Sequence, residues 1–222
     1  MDSGLGSGVV FSWGPIHIHE VVITTWGIML VLVVISALIT RRLQEKPSRW
    51  QTALEGIVLT IEDAISAVDP VNARRVLPLI GTLWIFLVVA NLLGVVPGLH
   101  SPTRDLSVTA ALALIVFGSV YMFGVQRLGW RYFRHYVTPS PLLLPFHIIS
   151  ELTRTLALAV RLFGNMMSLE MAAVLILIVA GFLAPIPILM LHIIEALVQA
   201  YIFGMLALIY VSSAMQQDDS AQ

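Results

Sequence analysis

Long runs of residues without a charge dominate the pattern of hydrophobic and polar positions along this chain. Three of these runs, 21–40, 76–99 and 106–126, are bounded by charged residues, histidine, proline or glycine. A helix of about 20 residues crosses the hydrocarbon core of a bilayer, which is roughly 30 Å thick. The pattern therefore predicts a transmembrane helix in each run.

Two more uncharged runs lie beyond residue 170, and the first of them contains Pro185 and Pro187. Proline inside a helix removes a backbone hydrogen bond and clashes with the preceding turn, so this pair fits a turn better than a helix interior. The pattern predicts a helical hairpin with arms at 146–183 and 188–215. As one helix, the first arm would extend about 57 Å at 1.5 Å per residue, nearly twice the thickness of the hydrocarbon core. It must lie steeply tilted, break near Gly164, or project its first turns into the cytoplasm.

The segment 50–69, between the first two spans, alternates apolar side chains with Glu55, Glu62 and Asp63 at helical spacing. Such a helix can lie in the headgroup region of the membrane, although a short soluble helix packed on loops fits the same pattern. The whole chain is therefore predicted to be an all-α integral membrane protein with one membrane domain over 1–222. It has about five membrane helices and one interfacial amphipathic helix, and the last two membrane helices form the long, tilted hairpin.

Lysine and arginine are distributed unevenly between the two predicted sides of the membrane, and cytoplasmic loops normally carry the excess. Most basic residues fall on the side where the first span ends, namely Arg41, Arg42, Lys46, Arg49, Arg74, Arg75, Arg127, Arg131 and Arg134. On the other side, residues 1–20 contain none, and the loop between the second and third spans holds only Arg104, beside Asp105. We predict that the N-terminus lies outside and the C-terminus in the cytoplasm.

Composition agrees with a membrane protein, since 58% of the residues are hydrophobic, 11% are charged and the mean hydropathy is +0.92. The net charge of −1 does not suggest a nucleic-acid partner, and no nucleotide-binding or HExxH motif is present. We expect no cofactor and no metal. His17 and His19 could bind a metal in principle, but we favour a solvated external tail ahead of a retained first helix that begins next to Glu20.

A regular polar stripe runs through the first arm of the hairpin. Intervals of 4 and 3 residues place its members on one helical face: His147, Glu151, Arg154, Leu158, Arg161, Asn165 and Ser168. An arginine within the membrane costs about 2.5 to 3.5 kcal/mol on insertion scales, so Arg161 should face protein or water. An internal ion pair is the alternative to a functional role. No acid lies within a turn of Arg161 on its own face, and Glu170 lies about 180° away around the helix, so its partner must come from elsewhere.

The second arm carries another polar face, formed by His192, Glu195 and Gln199 at spacings of 3 and 4. If the hairpin turns at Pro185, His192 and Glu170 match only roughly in height. Buried histidine is often structural, but carboxylates in the same pair of membrane helices favour a proton relay. His147, by contrast, is interpreted as structural or interfacial.

Four segments in order along the chain resemble subunit a of the F-type ATP synthase. These are QTALEGIV, SPTRDLSVTAALAL, RLFGNMMSLE and HIIEALVQAYIF, and together they extend over most of the sequence. The resemblance implies a stator subunit that binds the subunit c ring, the subunit b stalk, other ATP synthase subunits and lipid, with no nucleotide site of its own. It implies two half-channels for H⁺ or Na⁺ and a place in the plasma (inner) membrane of a bacterium.

By the same resemblance, Arg161 faces the ion-binding carboxylate of subunit c, which it keeps ionised while it blocks leakage between the half-channels. The resemblance also makes Glu170, His192 and Gln199 candidates for lining a half-channel, and it places Asn165 near the rotor; Glu195 is added from its spacing. Two positions depart from the family pattern. Leu169 stands where glycine is common, and Arg154 stands where many relatives have lysine or another polar group. A self-contained secondary transporter is the alternative, although the chain shows no repeated halves.

Overall fold

A computed structural model describes residues 9–13, 16–41, 49–96, 99–129, 144–181, 184 and 186–216. Two strands, β1 (Val9–Trp13) and β2 (Ile16–His19), pair in an antiparallel hairpin. The helices are α1 (Glu20–Thr40), α2 (Arg49–Val68), α3 (Ala73–Leu93), α4 (Leu106–Leu128), α5 (Leu144–Ala180) and α6 (Ile186–Gln216). Arg42, Lys46, Arg131, Arg134, Pro185 and the C-terminal residues 217–222 lie outside the described residues.

Five of the described helices, α1, α3, α4, α5 and α6, are long and apolar enough to cross a membrane. They confirm the predicted all-α membrane fold, to which α2 adds the amphipathic helix and the strands add a short hairpin that the sequence analysis does not predict. The second span ends at Leu93, six residues earlier than predicted, and a 3-10 turn, Pro102–Arg104, then leads into α4.

The core lies between α3, α4 and α6. Small side chains on α6, such as Ala200, Gly204 and Ala207, are buried and let neighbouring helices approach closely. The indole of Trp84 on α3 lies directly on Gly204, and its Nε1 donates a hydrogen bond to the carbonyl oxygen of Tyr201 at 3.3 Å. Close packing at Gly204 and the hydrogen bond from Trp84 therefore both hold α6 against α3.

Helix α5 is continuous over 37 residues, so the break considered at Gly164 does not occur. It ends at Gly181, whose φ of +84° belongs to the left-handed region that favours glycine at the end of a helix. The turn of the hairpin thus begins four residues before Pro185, while Pro187 lies in the first turn of α6, where proline is tolerated. The two arms therefore end and begin within three residues of the predicted bounds, and the earlier end of α5 changes which of their residues face each other.

The two ends of the bundle differ. One end, called the turn end here, holds the 3-10 turn and the start of α4, which Asp105 caps by accepting a hydrogen bond from the Ser107 N–H at 2.8 Å. At the opposite end, Arg127 Nη1 donates to Asn72 Oδ1 at 2.7 Å, and the Asn72 amide donates to Asp69. These contacts connect the α2–α3 junction to the end of α4.

Candidate functional site

Arg161 lies near the middle of α5, 17 residues after Leu144 and 19 before Ala180. Its side chain is exposed, whereas the adjacent Leu162 is fully buried. No described residue forms an ion pair or hydrogen bond with its guanidinium group. The internal ion pair considered from the sequence is therefore not formed among the described residues, which leave the cation uncovered.

Two contacts define how α5 and α6 align. The guanidinium carbon of Arg154 lies 4.6 Å from the ring centroid of Tyr210, and Asn165 Nδ2 donates to Gln199 Oε1 at 2.8 Å. The members of each pair are equally far in sequence from residue 182, by 28 and 17 residues respectively. This register places Arg161 level with Phe203, about one helical turn from the Asn165–Gln199 bond.

Glu170 is buried at the turn end, with 9% of its surface exposed. Arg104 Nη1 donates to Glu170 Oε2 at 2.9 Å, and the backbone N–H of Ser101 donates to Oε1 at 3.0 Å. Leu169, the departure from the family pattern, is half-buried and does not prevent this arrangement. Glu170 is thus an ion-paired carboxylate held between α5 and the 3-10 turn.

His192 lies beside Glu170, and both side chains approach Gly94 closely. A Cβ atom added at Gly94 would lie 2.8 Å from Glu170 Oε1 and 3.2 Å from His192 Cε1. His192 is 1% exposed, and its Nε2 has no hydrogen-bond partner in the described part of the chain. The register centred at residue 182 explains why the two side chains lie near each other, because Glu170 precedes that centre by 12 residues and His192 follows it by 10.

A cavity of about 480 Å³ opens next to these side chains, between the ends of α3 and α5, the start of α6 and the segment before the 3-10 turn. We call it the Glu170 cavity. Its polar lining comes from His100, Arg104, Glu170 and His192, and most of its remaining wall is aliphatic. Such a chamber, with few polar groups converging on apolar walls, is typical of a site that admits small solutes.

The other predicted polar residues are separated from this cavity. Glu151 accepts a hydrogen bond from Arg154 Nη1 at 3.2 Å, far along α5 from the turn end. His147 and Ser168 are exposed, and Glu195 is half-buried on α6. Gln199 is 1% exposed and bonds Asn165, as noted above. The members of the predicted stripe therefore have different surroundings. Arg154 contacts Tyr210, Arg161 is exposed, and Asn165 bonds Gln199.

Several residues of the site escape the sequence analysis. Thr103 Oγ1 donates to Asn91 Oδ1 at 2.7 Å, Asn91 Nδ2 donates to the carbonyl oxygen of Ala196 at 3.2 Å, and Ser101 Oγ donates to that of Ala90 at 2.9 Å. These fully buried groups fix the 3-10 turn on α3 and α6. The one local signal was Asn91, an amide within an otherwise apolar span.

The family described as "ATP synthase A chain" matches residues 22–212 of the chain. A relative named ATP synthase subunit a 1, from Hahella chejuensis, is 71% identical over 217 residues, which cover 98% of this chain and 93% of the relative. ATP synthase subunit a 2 of Pelobacter propionicus is 59% identical over 208 residues, with coverages of 93% and 91%. ATP synthase subunit a of Legionella pneumophila is 52% identical over 217 residues, with coverages of 97% and 94%.

Proposed function

The chain belongs to the ATP synthase A chain family, and we propose that it is the ion-translocating stator subunit of a rotary F-type ATP synthase. Family membership and the five apolar helices make it a multi-pass membrane subunit of the FO part of that complex. The partners that we propose are the subunit c ring and the subunit b stalk. Family membership argues against the alternative of a self-contained transporter.

The observation that carries the proposal is the uncovered guanidinium group of Arg161, halfway along a membrane helix. A buried or lipid-facing cation without a partner is costly, so a partner from another subunit should face it in the assembled complex. We propose that this partner is the carboxylate of subunit c. Arginine stays charged at any physiological pH and favours the ionised form of a nearby carboxylate, so it would release the bound ion from each passing rotor site.

The Glu170 cavity is our candidate for one half-channel. Glu170 lies nine residues beyond Arg161 on α5, which corresponds to about 13 Å along the helix axis. An ion entering at the turn end would therefore approach the rotor site from one side of Arg161. We propose that the second half-channel reaches Arg161 from the other end of α5, where Glu151 and Arg154 lie. Because the two half-channels are offset along α5, an ion can pass from one to the other only by binding to the rotor.

Replacing Arg161 tests the proposal. Arg161→Ala should abolish ATP-driven ion pumping into inverted membrane vesicles while the chain still co-purifies with the complex, because the side chain is exposed and forms no hydrogen bond or ion pair with a described residue. Arg161→Lys should restore little pumping, since the ammonium group is more strongly hydrated and lacks the planar fork. Val160→Ala is the control, because Val160 is also exposed on α5 and uncharged. Normal coupled pumping by Arg161→Ala would contradict the proposal.

A further inference from the structure

We infer that Arg104 is a positioning residue of the ion path, which holds the Glu170 carboxylate in place as a paired anion on the wall of the Glu170 cavity. This inference rests on the proposed function and deepens it. It concerns a residue outside the polar faces of the hairpin, on the 3-10 turn between α3 and α4. The evidence is the set of contacts that joins this turn to α5.

Both oxygens of Glu170 are engaged by donors from the segment 101–104. The guanidinium group of Arg104 takes one oxygen at 2.9 Å, and the Ser101 N–H takes the other at 3.0 Å. Hydrogen bonds between ionised groups are about twice as strong as neutral ones. Removing one partner of a buried ion pair leaves an uncompensated charge, which is strongly unfavourable. Glu170 therefore depends on Arg104 for its position.

The 3-10 turn that carries Arg104 is attached to α3 by buried hydrogen bonds, which set the height of Arg104 along the bundle. Ser101 and Thr103 are fully buried and bond α3, as described above. Asp105 does not compete for Arg104, because its carboxylate caps α4 through Ser107. Arg104 also lies 3.1 Å from His100 Nδ1, and this ring nitrogen must accept the hydrogen bond because a guanidinium group has no acceptor.

The pairing changes what the cavity offers to an incoming ion. The charges of Arg104 and Glu170 cancel, and neither Glu170 oxygen is left as an unengaged acceptor. Among the described residues, His100 at the rim and His192 on α6 are the other titratable groups beside Glu170, and Glu195 lies near His192. His192 is fully buried, and its Nε2 has no hydrogen-bond partner in the described part of the chain. Arg104 thus shapes the electrostatic surroundings of His192 through Glu170.

The test uses the assembled complex in inverted vesicles, with ATP-driven pumping normalised to the amount of complex. We expect Arg104→Gln to lower pumping by about tenfold or more, because it strands a buried charge. Arg104→Lys should recover part of the loss. The double variant Arg104→Gln/Glu170→Gln should pump at least as well as Arg104→Gln alone, because residues that act through one contact are not additive. Arg75→Gln, an exposed arginine at the opposite end, is the control and should pump normally.

Three results would overturn the inference. The first is normal pumping by Arg104→Gln, and the second is a double variant that pumps less than Arg104→Gln alone. The third is a smaller amount of assembled complex in Arg104→Gln with normal pumping per complex. The last result would show a purely structural role. Wild type and Arg161→Ala are measured in the same assay. If Arg161→Ala does not pump while Arg104→Gln pumps normally, the inference about Arg104 is wrong and the proposed function stands. A wild-type complex that does not pump would overturn the proposed function itself.

Discussion

Three arginines of this bundle differ in what surrounds their guanidinium groups. Arg154 lies over the ring of Tyr210 and bonds Glu151, and Arg104 pairs with Glu170. Arg161 has neither kind of contact in the described part of the chain. An arginine satisfied within its own chain stabilises that chain, whereas one left uncovered in a membrane requires a partner from outside. The role of each arginine therefore follows from its surroundings and not from its residue type.

Gly94 allows a test at the scale of one methyl group. A Cβ atom there would lie 2.8 Å from Glu170 Oε1 and 3.0 Å from the Ser101 Cβ, so Gly94→Ala should displace the paired carboxylate. We expect ATP-driven pumping in vesicles to fall clearly. Gly118→Ala on α4 should leave it unchanged, because an added Cβ there meets no described atom within 4 Å beyond its own helical turn. Equal pumping by both variants would show that the exact position of Glu170 is unimportant.

At the scale of helices, the contact of α3 with α6 depends on Gly204. The Trp84 indole occupies the place of a side chain at this residue, and its ring stacks on Tyr201 with centroids 5.8 Å apart. Membrane helices gain little from the hydrophobic effect among themselves, so close packing at small residues supplies much of their association. A change at Gly204 should therefore affect the bundle as a whole.

Gly204→Ala should overpack this contact and lower the free energy of unfolding by about 1–3 kcal/mol. The measurement is the thermal unfolding midpoint of the detergent-solubilised chain. Gly56→Ala on α2 is the matched control, because an added Cβ there meets no atom of the described residues within 4 Å beyond its own helical turn, and alanine favours the helix. If the two variants unfold at the same temperature, the Trp84 indole does not pack on Gly204 as closely as described.

Helices were predictable from the sequence because apolar periodicity and proline positions are local signals. The hairpin register was not, since it depends on where α5 stops: Gly181 ends it before Pro185. The Arg104–Glu170 pair joins residues 66 positions apart, and the sequence shows only Arg104 next to Asp105. The exposed state of Arg161 agrees with the sequence argument that no acid on its own face could pair with it.

At the scale of the whole molecule, the distribution of positive charge bears on orientation. Arg41, Arg74, Arg75 and Arg127 lie at the ends of α1 and α4 and at the start of α3, away from the turn end. Arg104 at the turn end is neutralised by Glu170. The excess of unpaired positive charge therefore lies at the opposite end, which the positive-inside rule assigns to the cytoplasm.

The absence of cysteine from the sequence makes this orientation directly measurable with single-cysteine variants. Leu99, at the turn end, is 47% exposed, and Val71, between α2 and α3, is 80% exposed. We treat cells whose plasma membrane is intact, but whose outer layers let the reagent through, with a membrane-impermeant maleimide. The reagent should label Leu99→Cys, and it should label Val71→Cys only after the plasma membrane is permeabilised. The unmodified chain, which should take no label, is the control. The reverse pattern would place the Glu170 cavity on the cytoplasmic side, and the proposed order of the two half-channels would then have to be exchanged, although the roles of Arg161 and Arg104 would stand.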